Sequence, residues 1–111
     1  MTNTDELKKL ILEAREEGLS PNRLSEILVS LTSWYATLAQ ELEDIEVFYA
    51  EQWLAMRKEC KTDKATDMAW NSSESGKQRI RLRIQLKYIE KIISSIKVRL
   101  KVKENESWGR Y

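Results

Sequence analysis

From residue 22 to residue 75 the chain has no glycine or proline, the residues that stop helices. The same stretch is regular. Leu24, Leu31, Leu38 and Ile45 recur every seven residues, and Leu28, Tyr35, Leu42, Tyr49 and Met56 do so four residues out of step. Two such columns make one apolar seam along a helix. Ser20 followed by Pro21 is a strong start, because the hydroxyl accepts a free amide and the proline ring suits the first turn. A helix from Ser20 to Cys60 would be roughly 60 Å long at the α-helical rise. Ile27, Trp34 and Phe48 widen the stripe and predict a helix that faces two neighbours, as in a bundle.

The rest of the chain divides around this element. Residues 1–18 predict a short helix, with Thr4 as N-cap, Asp5 and Glu6 in the dipole-favoured first turn, and Leu7, Leu10, Ile11 and Ala14 as a narrow, loosely docking stripe. Gly18 is its expected left-handed stop. Residues 62–71 predict a second short helix and joint, capped by Thr62 or Asp63 and carrying an apolar patch of Ala65, Met68, Ala69 and Trp70. The serines of "NSSESGK" then start a last helix over residues 73–104, with 105–111 as a tail.

That last element is the ambiguous one. "RIRLRIQLKYI" alternates as a strand does, with Ile80, Leu82, Ile84, Leu86 and Tyr88 on one side. On the helical template Leu82, Leu86, Ile89, Ile93, Ile96 and Leu100 fall at spacings of 4, 3, 4, 3 and 4. A hairpin needs a turn, and "YIEKIISSI" offers none of the Asn-Gly type. The helix explains the whole stretch at once. The expected fold is therefore all-α: an antiparallel helical hairpin or coiled-coil bundle in one domain with a long central helix. Ile84, Tyr88, Val98 and Val102 then form a second apolar stripe. A helix apolar on two faces is buried between neighbours or binds another chain. With Trp108 and Tyr111 these residues are the expected partner or homo-oligomer interface.

Composition narrows the chemistry. The chain has no histidine and one cysteine, Cys60. Ser/His and Cys/His nucleophiles are impossible, as are Cys/His zinc sites and an internal disulfide framework. Gly18, Gly76 and Gly109 are isolated, so no phosphate-cradling loop exists. The carboxylate pairs Glu43/Glu46 and Asp63/Asp67 have a spacing that can hold Mg²⁺, but exposed helices carry such pairs routinely. No catalytic site, metal or cofactor is expected. The first residues lack the pattern of a secretory signal, and no stretch reaches the roughly 18 apolar residues of a membrane span. A reducing, cytoplasmic setting fits.

A net charge of +1 hides an asymmetry. Residues 1–60 hold twelve acids and six bases, whereas residues 76–103 hold ten bases and one acid, Glu90. Part of this charge is expected to be internal, with Arg83, Lys97 and Arg99 beside Glu41 and Glu46 of the long helix. Lys77, Arg79, Arg81, Lys87, Lys91, Lys101 and Lys103 find no obvious acids. With Arg83 they make the expected nucleic-acid surface, one that binds phosphates and releases counterions. No groove-reading motif is present, so contact would be to backbone. Tyr88, Trp108, Arg110 and Tyr111 can stack on single-stranded bases. The acids Glu41, Glu43, Asp44, Glu46 and Glu51 offer the alternative of a basic protein partner.

From "KTDKATDMAWNSSESGKQ" to "ISSIKVRLKVKENESWGRY" the chain resembles small proteins of bacteriophages and prophages that are often encoded near replication and recombination genes. The likeness rests on Trp70, the Ser/Thr-rich cap with Gly76, the basic segment, "EKIISSIKVRL" and a short aromatic end. It covers about 50 of 111 residues. The resemblance implies a phage-encoded accessory protein of DNA metabolism, or an inhibitor or adaptor aimed at a host defence complex. It carries over no site residues.

Overall fold

A computed structural model describes the backbone of residues 4–108 and side chains as far as residue 105. It is all-helical, with no strand among the described residues: α1 (Asp5–Ala14), α2 (Pro21–Arg57), α3 (Asp63–Ser72) and α4 (Glu74–Trp108). The ambiguous segment 79–89 lies wholly inside α4, so the continuous seam prevails over the two-residue alternation.

The helix ends follow local chemistry. At the start of α2 the Arg23 amide donates to Ser20 Oγ at 3.1 Å, as the Ser-Pro pair predicts. Thr4 precedes α1 but makes no side-chain cap; its carbonyl accepts the Lys8 amide. Two expected stops move inward. The first helix ends at Ala14, where the Arg15 and Glu16 amides turn back to Leu12 and Glu13 and the Arg99 guanidinium donates to the Ala14 carbonyl at 2.5 Å and the Glu16 carbonyl at 2.7 Å. Gly18, at φ 78°, bends the link rather than capping the helix. The second ends at Arg57, not Cys60. There the Met56 carbonyl accepts two amides, from Glu59 and Cys60, and Arg57 donates to the Cys60 carbonyl at 2.7 Å. At the other end of the chain α4 continues to Trp108, so residues 105–108 are helical rather than tail.

The residues form two compact units: those up to Ala36 together with those from Lys87 onward, and the contiguous stretch Thr37–Leu86. In the first, Leu7 and Ala14 of α1, Leu24, Ile27 and Leu31 of α2, and Ile89 and Ile96 of α4 are buried. Each fully buried leucine or isoleucine contributes about 1.5–3 kcal/mol. Leu7 is buried to 1%, so α1 is anchored rather than loosely docked.

The second unit is built around Trp70, with Leu38, Leu82, Leu86 and Thr66 also buried. Thr62 caps α3 by accepting the Ala65 amide at 3.0 Å, as expected. The expected α3 patch is otherwise corrected. Ala65 and Met68 are exposed, and Thr66 takes the inner position with its hydroxyl donating to the Thr62 carbonyl. Phe48, expected on the widened stripe of α2, is also exposed, while Trp70 of α3 is fully buried.

One residue joins α3 to α4. The Ser73 hydroxyl donates to the Trp70 carbonyl at 2.5 Å and accepts the Gly76 amide at 3.2 Å. A single side chain thus satisfies the end of one helix and the start of the next, two sets of groups that otherwise lack partners. Gly76 is buried in this corner.

Candidate nucleic-acid interface

The basic residues of α4 divide into those held by the protein and those facing outward. In the second unit Glu46 of α2 is the acceptor for both Arg79, through a two-pronged pair, and Arg83, at 3.1 Å. The Arg79 guanidinium also lies 4.8 Å from the ring centre of Tyr49 and 5.4 Å from that of Trp70. Those rings meet edge to face at 4.7 Å. Arg79 is therefore a packing residue, and its place on an unpaired nucleic-acid surface is corrected. The signal was in the spacing: Arg79, Leu86, Ile93 and Leu100 share one heptad column, so Arg79 extends the seam. Its planar cation tolerates that position because it stacks on aromatic faces and pairs with a carboxylate together.

The Arg79 hydrogen bond, reinforced by the charges of Arg79 and Arg83, holds the Glu46 carboxyl below its ordinary range. The stabilisation is complete above the unfolded carboxylate pKa and fades as pH falls through the lowered folded value. The thermal midpoint of the wild type is expected to exceed that of Glu46→Gln above about pH 5, with the gap narrowing as pH falls below the ordinary carboxylate range. A gap that is constant across this range would show that the Glu46 charge is not what stabilises the pair.

In the first unit Arg99 serves the α1 carbonyls rather than Glu41 or Glu46, which corrects its expected pairing. A cation on a helix C-terminus is favoured by both the free carbonyls and the dipole. Arg15 lies over the Tyr88 ring at 5.3 Å, so that aromatic face already carries a cation. Tyr35 donates to Glu90 at 2.5 Å, and this bond to a carboxylate raises the phenol pKa. Glu13 is the acceptor of Arg23, and the hydrogen bond lowers its pKa.

The outward-facing set is Lys77 and Arg81 in the second unit, and Lys87, Lys91, Lys97 and Lys101 in the first, so the expected pairing of Lys97 with Glu41 or Glu46 is corrected. Among the described residues none of these meets a carboxylate. Lys103 is half-buried and lines a groove of about 550 Å³ with Ile92, Ser95, Val98, Val102 and the turn after α1. Ile84, Val98 and Val102 of the expected interface stripe are exposed, and Tyr88 is marginally so. The side chains of Trp108 and Tyr111, like Arg110, lie outside the described residues.

No protein-family model, curated protein or solved structure matches the chain. Three of the four acids at Mg²⁺-holding spacing have other partners: Glu46 as above, Asp63 with Arg57 at 2.7 Å, and Asp67 with the Trp53 indole N–H at 2.7 Å, while Glu43 is exposed. No group of three or more potential metal ligands occurs among the described residues. No described helix is long and apolar enough to cross a membrane.

Proposed function

We propose that this protein is a non-enzymatic, phage-type accessory factor of DNA replication or recombination that binds the DNA backbone through α4. The observation that carries this reading is the sorting of its cations. Arg79, Arg83 and Arg99 have carboxylate or carbonyl acceptors, while Lys77, Arg81, Lys87, Lys91 and Lys101 stay exposed without acids. Lysines and arginines in that state are completed by phosphates, with release of counterions. In this reading α2 and α4 run antiparallel within each unit as a coiled coil, and the protein works in the cytoplasm of the bacterial host as an oligomer.

A mobility shift with single- and double-stranded DNA tests the proposal. Binding is expected at low salt, with affinity falling by about 10²-fold or more on a fourfold rise in salt. Reversal of Lys77, Arg81, Lys87 and Lys91 to glutamate should abolish it. Arg79 and Arg83 are left intact because changing them would disturb the Glu46 pairing. Absence of any low-salt shift sinks the reading.

The groove beside α1 favours a second reading, a protein-binding inhibitor or adaptor without nucleic-acid contact. Its apolar wall of Ile92, Val98 and Val102 is edged by both signs of charge, Glu16 and Glu17 beside Arg99 and Lys103, and suits an apolar side chain with polar neighbours.

A further inference from the structure

The second unit carries two exposed faces that complement one another. On α2, Val47 and Leu54 are 66% and 59% exposed, with the acids Glu43, Asp44 and Glu51 exposed around them. At 100° per residue Val47 and Leu54 point away from the buried side of α2, which holds Leu38 and Tyr49. On α4, Ile80 and Ile84 are 47% and 63% exposed, with Lys77 and Arg81 exposed beside them. They point away from Leu82 and Leu86 in the same way. Each face alternates charged and apolar residues at steps of three or four, about 6 Å along a helix, so the two periods match.

We infer that copies of this chain associate by laying the acidic face of α2 from one molecule on the basic face of α4 from the next. Exposed large apolar side chains in line are unfavourable in water and mark contact surfaces. What identifies the partner is charge. Each face bears the sign that the other lacks, and one chain presents both. Because each points away from its own helix's buried side, a molecule cannot close the two on itself. A contact between two different patches is head-to-tail and repeats, so assembly is not limited to two molecules. It shares Lys77 and Arg81 with the DNA reading but does not depend on it. Phosphates and a second copy would compete for the same cations.

Sedimentation velocity over a range of concentrations tests this. The wild type is expected to run at 13.1 kDa when dilute and to rise past twice that mass as concentration increases. Raising salt from ~0.05 M to ~0.5 M is expected to weaken association about tenfold or more, since exposed opposite charges are screened. E43K/D44K/E51K and K77E/R81E are each expected to stay monomeric while keeping wild-type helicity by circular dichroism. Mixed in equal amounts they should assemble, because the reversed α2 face of one meets the reversed α4 face of the other. A wild type monomeric at all concentrations, association indifferent to salt, or a mixture that stays monomeric would overturn the inference. The DNA reading fails separately: E43K/D44K/E51K should still shift DNA if that reading holds, whatever its mass.

Discussion

Gly76→Ala is expected to destabilise the protein by about 3 kcal/mol, the upper range for forcing atoms into a packed site. Helix propensity argues the other way, since alanine inside a helix is favoured over glycine by about 1 kcal/mol. The packing decides the sign. A Cβ at position 76 would overlap the Trp70 carbonyl oxygen and come within 2.7 Å of the Asn71 Cα. Both are backbone, so neither can swing aside as the end of a flexible side chain would. The same carbonyl accepts the Ser73 hydroxyl and amide, so displacing it also breaks the corner between α3 and α4. Urea unfolding checks the value, and amide exchange should place the loss in α3 and the first turn of α4. An alanine variant as stable as the wild type would show that the corner is looser than described.

Trp70→Ala is expected to cost about 3–5 kcal/mol, the usual penalty for emptying a buried aromatic site. Trp70 is 1% exposed and touches two partners at once, the Tyr49 ring and the Arg79 guanidinium. Removing the ring leaves Arg79 without one of its two aromatic faces. Trp70→Phe is expected to cost much less, within about 1.5 kcal/mol, although it also removes volume. The reason is that the Trp70 indole N–H is buried without a hydrogen-bond acceptor. An unsatisfied buried donor costs about 1–3 kcal/mol, and phenylalanine removes it. Denaturant midpoints of the two variants test the contrast. Equal losses would mean that the N–H has a partner in solution.

What could be read from the residues was whatever repeats. Leu24 and Leu31, and Leu82, Leu86, Ile89 and Ile96, each fall at the inner positions that their spacing predicts. Ser20-Pro21 and Thr62 start helices as their chemistry requires. Harder to read were features set by contacts distant in sequence. Nothing near Ala14 says that Arg99 will donate to its carbonyl, whereas Gly18 carries a local stop signal. Phe48 widens the α2 stripe by its spacing yet is exposed, and the buried aromatic of that unit is Trp70 of α3, which a periodicity count along α2 does not see. Arg79 was legible in principle, as a cation in an apolar column. Charge counting passed it over because Glu46 lies 33 residues away.

The bonds from Arg99 to the carbonyls of Ala14 and Glu16 span 85 and 83 residues. Such closures form late, because a long loop must be shut before the contact returns anything. The stretch Thr37–Leu86, by contrast, is contiguous and holds its own partners. As the chain leaves the ribosome, that middle portion can close while α1, though synthesised earlier, has no donor for its last carbonyls. The end of α1 is thus completed only once Arg99 has emerged, long after α1 itself is synthesised.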